Sequence, residues 1–374
     1  MKKILIVQTR HIESISYLTA ELVNAFPSEE YQVALAYLEA GEPNATDKLA
    51  HECYFFGLDK TDYKGLRLKA IRKLRPFFEQ HQFDVVIANM YKPVHLLMQL
   101  GRSISAPFCI GIIHAFGEFD RPMRRWGMRL MLDSRWTMVG VSDAVRSYLI
   151  SARCGLHEHN TYAINNALDV NAAVAAAMTK SEARALLNLP VDGLIFGTIG
   201  RCVKGKRHLE LIQAFEHFAA QKENVFLAII GDGELYPQLK SYVNQHNLED
   251  KVRLVGYIDQ AARVVRALDV FMFPSESEGF GLALLEAMAA SVPAIVHNVE
   301  PLRGIVAGCG DAIDCADINV ISNAMGAHYA LTSEARGEKG SAHFQRVLTN
   351  YDIKQYREAY RDLVEQLIGA GTWS

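Results

Sequence analysis

Short runs of β-branched and aliphatic residues alternate with longer amphipathic stretches along almost the whole chain, and this alternation leaves few folds open. Strands buried on both faces read as continuous apolar runs, and parallel neighbours need a helix between them. Strands are expected at 3–7, 32–37, 84–88, 108–113, 137–141 and 161–164. A polar, alanine-rich passage near 168–190 interrupts the pattern, which restarts at 194–199 and continues at 226–230, 252–255, 270–273 and 294–296. The reading is an α/β protein of two doubly wound domains, 1–167 and 168–350. Its 374 residues, half of them hydrophobic, suit two cores better than one. Residues 351–374 form a closing helix with Tyr356, Tyr360, Leu363 and Leu367 on one stripe, able to pack on either domain, including back on the first.

The net charge of -3 divides into +3 over residues 1–165 (20 Lys and Arg against 17 Asp and Glu) and -6 over the remainder (19 against 25). That asymmetry is too mild for a nucleic-acid surface, which needs a dense basic face, but it suits an anionic acceptor near the first domain. Six widely spaced cysteines without a C-x-x-C pair read as reduced thiols, so a cytoplasmic setting is expected. The opening MKKILIVQ reads as a first strand rather than a signal peptide, and no apolar run approaches the ~18 residues that span a bilayer.

Residues 275–296, SESEGFGLALLEAMAASVPAIV, follow the apolar run VFMFP and carry the densest chemistry. With Gly279 and Gly281 framing Phe280, the chain can turn sharply and leave the N–H groups of Phe280, Gly281 and Leu282 at a helix N-terminus, where a phosphate is attracted. Glu286, about one turn inside, is placed to accept hydrogen bonds from ribose hydroxyls, while Glu278 projects from the loop toward a sugar ring. A lone glutamate is usually a solvated charge; this pair spans a Gly-Phe-Gly turn between a strand and a helix. In 196–215, FGTIGRCVKGKRHLELIQAF, Arg201 and Lys206 lie between a strand and a helix. Fixed cations there would stabilise a leaving diphosphate more in the transition state than in the ground state.

The first of these segments resembles the signature of glycosyltransferase family 4, a strand followed by Ser-x-x-Glu-Gly-Phe-Gly, a second Glu and Ala-Met-Ala. The resemblance implies a GT-B fold of two Rossmann-like domains facing a cleft, and a donor nucleoside diphosphate-sugar in the second. It implies that Glu278 contacts the donor hexose, that the amides of Phe280, Gly281 and Leu282 hold the diphosphate, and that Glu286 binds ribose. The Gly-Arg…Lys-Gly element of the family is matched by Arg201 and Lys206 at its phosphate-binding positions. IIGDGEL (229–235), with Gly231, and VRLVGYI (252–258), with Tyr257 and Ile258 bordering the base, agree in order and spacing. His114, ending the strand CIGIIH, matches a histidine that touches the donor sugar. VSDAVRSYL (141–149) and INNALD (164–169) also match.

The chain departs from the family at four places: Arg207, Ser291 and Ala167 stand where glycine is usual, and QTRHIESISYL (8–18) replaces a Gly-Gly loop. In that last segment Arg10 and His11 are the expected acceptor-side contacts. No D-x-D occurs, so the carboxylate pair that holds a metal in GT-A enzymes is missing; no metal and no cofactor are expected. The segment RPMRRWGMRLML (121–132) fits either a helix on an anionic membrane surface or one packing its apolar face on the core. The resulting expectation is a retaining transfer of a hexose to a glycan or lipid-linked glycan, in bacterial lipopolysaccharide or other surface-polysaccharide synthesis, by a cytoplasmic protein with peripheral contact on the cytoplasmic face of the inner membrane. Two other readings share the donor chemistry: a sugar-nucleotide epimerase, and a non-catalytic nucleotide-sugar or carbohydrate-binding protein.

Overall fold

The structure is a computed structural model that describes residues 1–10, 13–42 and 44–370. The chain divides into two compact units, one made of Met1–Asn166 with the chain from Ile353 onward, the other of Ala167–Asp352.

The first unit holds a seven-stranded sheet: β1 (Lys2–Gln8), β2 (Tyr31–Glu39), β3 (Glu52–Leu58), β4 (Val85–Asn89), β5 (Phe108–Ile113), β6 (Trp136–Gly140) and β7 (Thr161–Ala163). Its order is β3-β2-β1-β4-β5-β6-β7 and every pairing is parallel. Ile4–Val7 are wholly buried, as the middle strand of a sheet covered on both faces must be. The last helix, Ile353–Gly369, belongs to this unit. Tyr356, Tyr360, Leu363 and Leu367 are buried, Arg357 Nε donates to Glu21 at 2.6 Å, and Arg361 Nε donates to the Ala25 carbonyl at 2.9 Å.

The second unit holds a six-stranded parallel sheet: β8 (Leu194–Ile199), β9 (Val225–Ile230), β10 (Val252–Gly256), β11 (Val270–Phe273), β12 (Ala294–His297) and β13 (Asp311–Ile313), in the order β10-β9-β8-β11-β12-β13. Its ends are tied together, because Leu168 N donates to the Tyr351 carbonyl at 2.9 Å. Two strands were not expected from the sequence, β3 and β13, and both are edge strands. β13 spans only three residues, too few to show a pattern, while the run CYFF in β3 is as apolar as those of the expected edge strands β7 and β10.

In each sheet the strand order reverses at one place: between β1 and β4, and between β8 and β11. Loops leaving the carboxyl ends of those strands open a crevice, the usual ligand position in doubly wound sheets. Two of the shorter motifs are helix caps. Ser142 Oγ accepts from Val145 N at 3.1 Å, and the Asp169 carboxylate accepts from Ala172 N at 2.8 Å. Such caps satisfy amides that have no partner inside the helix.

Candidate active site

The sequence-derived site residues of the second unit gather at its strand-order reversal. Arg201 and Lys206 lie on the loop after β8, and Glu278 lies on the loop after β11. A backbone bond joins these loops, Glu276 N to the Gly205 carbonyl at 2.8 Å. Above it, the Lys206 ammonium is paired with the Glu278 carboxylate and sits 5.3 Å from the centre of the Phe273 ring. Arg201 is exposed and makes no ion pair among the described residues.

The turn before the helix Leu282–Ala289 is formed by Gly281, whose φ is +113°, while Gly279 is not in the left-handed region. A Cβ at Gly281 would lie 3.0 Å from Leu302 Cδ2. Phe280 is buried with its ring edge-on to Tyr351, 5.7 Å between centroids. The N–H groups of Phe280, Gly281 and Leu282 find no acceptor among the described residues, which leaves three donors and a helix N-terminus free for an anion. One turn on, Glu286 is half-buried, and burial pushes its carboxyl up to about 7.

The wall formed by β8, β9 and β10 is laced by backbone. Gly231, φ +144°, donates to the Gly256 carbonyl at 2.8 Å, and a Cβ on it would fall 2.0 Å from the Gly200 carbonyl oxygen. Cys202 N donates to the Asp232 carbonyl at 2.9 Å. Tyr257 and Ile258 follow Gly256 directly; Tyr257 is 65% exposed and Ile258 is half-buried.

Three groups in this unit were not singled out in the sequence. Ser275 Oγ, at the end of β11, and His208 Nδ1, just after Lys206, are buried without a hydrogen-bond partner among the described residues. Buried polar atoms normally have partners, so both are suited to a ligand or to water. Burial, with the neighbouring Lys206 charge, brings the His208 imidazole down to about 4. The third is Phe273, which lies beneath Lys206. Ser275 follows a strand and His208 opens a helix, and a single polar residue at an element boundary carries no periodic signal.

In the first unit, His114 follows β5, and its Nε2 lies 2.6 Å from Asn89 Oδ1 at the end of β4, beside that sheet's reversal. Burial lowers its imidazole to about 4, so the ring is neutral near pH 7. Arg10 is exposed after β1, while His11 lies outside the described residues.

Comparison with known proteins accounts for both units. The family model for Glycosyltransferase Family 4 matches residues 15–172, and that for Glycosyl transferases group 1 matches residues 179–320. The chain belongs to glycosyltransferase family 4. It is 25% identical over 338 residues to the UDP-Gal:alpha-D-GlcNAc-diphosphoundecaprenol alpha-1,3-galactosyltransferase of Escherichia coli, covering 84% of this chain and 83% of that one. It is 30% identical over 187 residues to the lipopolysaccharide core biosynthesis glycosyltransferase LpsD of Rhizobium meliloti, covering 49% of this chain and 53% of that one. Among solved structures, HepE of Anabaena in complex with UDP-glucose superposes with a TM-score of 0.78 at 16% identity, covering 98% of this chain and 100% of that one.

The departures of this family 4 glycosyltransferase from the common motif now have a geometry. Arg207 and Ser291, both in place of glycine, have φ of +51° and +60°. They occupy the left-handed region in which only glycine is unstrained. Ala167, by contrast, is not in that region, so its side chain brings no such strain.

Proposed function

We propose that this glycosyltransferase moves a hexose from a nucleoside diphosphate-sugar to a hydroxyl of a glycan or lipid-linked glycan, with retention at the anomeric carbon and without a metal ion. The observation that carries the reading is the grouping, at one strand-order reversal, of three unpartnered amides, two cations and two carboxylates. The diphosphate lies against the N–H groups of Phe280, Gly281 and Leu282, with Arg201 and Lys206 as its counter-charges. Glu286 accepts hydrogen bonds from the ribose hydroxyls, Glu278 orients the hexose, and Gly231, Tyr257 and Ile258 form the wall beside the base. The HepE complex and the galactosyltransferase relative make uridine the first base to test.

In the reaction the acceptor oxygen bonds to the anomeric carbon as the bond to the diphosphate breaks, and the acceptor proton passes to a departing phosphate oxygen. The protein then has no proton to take up, and its task is to stabilise charge as it develops on the leaving group. His114, kept neutral by burial, serves as a hydrogen-bonding group rather than an acid. Attack on the face from which the diphosphate leaves needs no covalent nucleophile, and none is assigned to these residues. The relatives' acceptors, lipid-linked and lipopolysaccharide glycans by their names, support an acceptor of that class.

The test is nucleoside diphosphate release from UDP-, GDP- and ADP-hexoses, with and without a lipid-linked glycan, in buffer containing EDTA. Release that requires the acceptor, survives EDTA, falls in Glu278→Gln and gives a product of unchanged anomeric configuration by proton NMR supports each part. Donor conversion without an acceptor indicates an epimerase, and donor binding without turnover across a broad acceptor screen a binding protein. Either result removes the proposal.

A further inference from the structure

The helix Pro122–Met131 leaves three of its apolar residues in water. Met123 is 83% exposed, Trp126 66% and Leu130 64%, while Met128 is buried. At 100° per residue Met123, Trp126 and Leu130 fall within about 60° of one another, Arg129 and Arg125 follow on one side of this stripe, and Arg121 stands at the start of the helix in extended backbone. On the inward face Arg124 is tethered, pairing with Glu118 at 2.7 Å and lying 4.6 Å above the Tyr91 ring.

The charge around this stripe is net positive. Glu118 pairs with Arg124 and Asp133 with Arg135, each at 2.7 Å, and Asp120, which accepts from the Tyr148 hydroxyl at 2.9 Å, is the one further carboxylate between residues 118 and 135 to set against Arg121, Arg125 and Arg129. Arg121, Arg125 and Arg129 are exposed and make no ion pair among the described residues. A soluble polyanion would use the arginines and leave the tryptophan in water. An apolar protein partner would use the tryptophan and leave three cations at its rim.

The geometry points to an anionic lipid surface as the occupant: Trp126, Met123 and Leu130 enter the boundary between headgroups and acyl chains, and Arg121, Arg125 and Arg129 meet lipid phosphates. An interfacial helix with aromatic and aliphatic groups on one side and basic groups beside them binds in this way. No described helix is long and apolar enough to cross a membrane, so the contact is with the surface. It tethers the unit that carries His114 and is independent of donor chemistry.

Flotation of the full chain with vesicles tests this, comparing 3:1 phosphatidylcholine:phosphatidylglycerol with phosphatidylcholine alone, at low and high salt. The wild type is expected to float with the anionic vesicles at low salt and not with the neutral ones. Arg121→Glu/Arg125→Glu/Arg129→Glu should lower partition on the order of 100-fold, and Met123→Ser/Trp126→Ser/Leu130→Ser by roughly tenfold or more. Both variants change exposed side chains and should keep the melting temperature and any nucleotide-sugar binding. Vesicle binding should also shift tryptophan fluorescence to the blue, a shift lost in Trp126→Phe. Equal flotation on neutral vesicles, or variants that float like the wild type, overturns the proposal. Loss of self-association in the serine variant with flotation unchanged would assign the stripe to a second copy and also overturn it.

Discussion

Lys206 and Glu278, seventy-two residues apart in sequence, hold each other across the strand-order reversal of the second unit. Their side chains are 20% and 17% exposed, so water screens the pair only partly. In the proposed reaction each needs a different partner, a phosphate oxygen for the amine and a sugar hydroxyl for the carboxylate. The pair keeps both positioned while the site is empty.

The first prediction concerns that pair. Lys206→Met and Glu278→Gln should each destabilise the protein by about 1–2 kcal/mol, between the limits for exposed and fully buried pairs. The double variant should lose less than the sum of the two. Urea denaturation of the four proteins measures this, and strict additivity would refute the coupling. Transfer by Lys206→Met should fall on the order of 100-fold to 1,000-fold, as for other fixed charges beside a leaving group.

Glu286 supplies a pH dependence. Its folded carboxyl holds a proton up to about 7, whereas the unfolded chain releases it near the ordinary 4.5. Between those values the native state binds more protons, so this group's contribution to stability declines as pH rises. Ribose hydroxyls donate to the ionised form, so donor affinity should move the opposite way and tighten between pH 6 and 8. Titration calorimetry across that range should show the trend in wild type and a flat profile in Glu286→Gln; parallel profiles would contradict the assignment.

Two glycines of the nucleotide wall should respond differently to alanine. At Gly231 the new Cβ would collide with the Gly200 carbonyl, so the loops after β8 and β9 must separate. At Gly256, φ +85°, a Cβ meets nothing within 4 Å and only the backbone is strained. Gly231→Ala should therefore cost more than about 2 kcal/mol and abolish donor binding, while Gly256→Ala costs about 1–2 kcal/mol. Thermal melts with and without a UDP-sugar separate the two.

Ser291 predicts a gain. Relief of its left-handed strain, about 1–2 kcal/mol, exceeds the extra entropy of an unfolded glycine, about 0.5–1 kcal/mol. Ser291→Gly should raise stability by about 0.5 kcal/mol, and a lower melting point would show that the serine side chain contributes contacts of its own.

Much of this was legible in the residues, for identifiable reasons. Runs such as ILIV and AIVH mark strands buried on both faces, and the restart after residue 190 marks the second sheet. The three residues of β13 are too few to leave such a trace, and the half-buried run CYFF of β3 shows no alternation to mark it. The Gly-Phe-Gly turn carries its own geometry, so Gly281 could be placed from sequence, whereas the pairing of Lys206 with Glu278 depends on which strands become neighbours. The stripe of helix Pro122–Met131 had two readings, because periodicity gives the face and not what it faces. Exposure of Trp126 takes that residue off the core, while Met128 on the opposite face is buried against it.

The return of Ile353–Gly369 to the first unit has a consequence for biosynthesis. Every residue of the six-stranded unit is encoded before this helix. The seven-stranded unit, begun earlier, is complete only when Glu21, Ala25 and Tyr31 meet Arg357, Arg361 and Glu365. The earlier-encoded unit should therefore reach protease resistance no sooner than the later-encoded one.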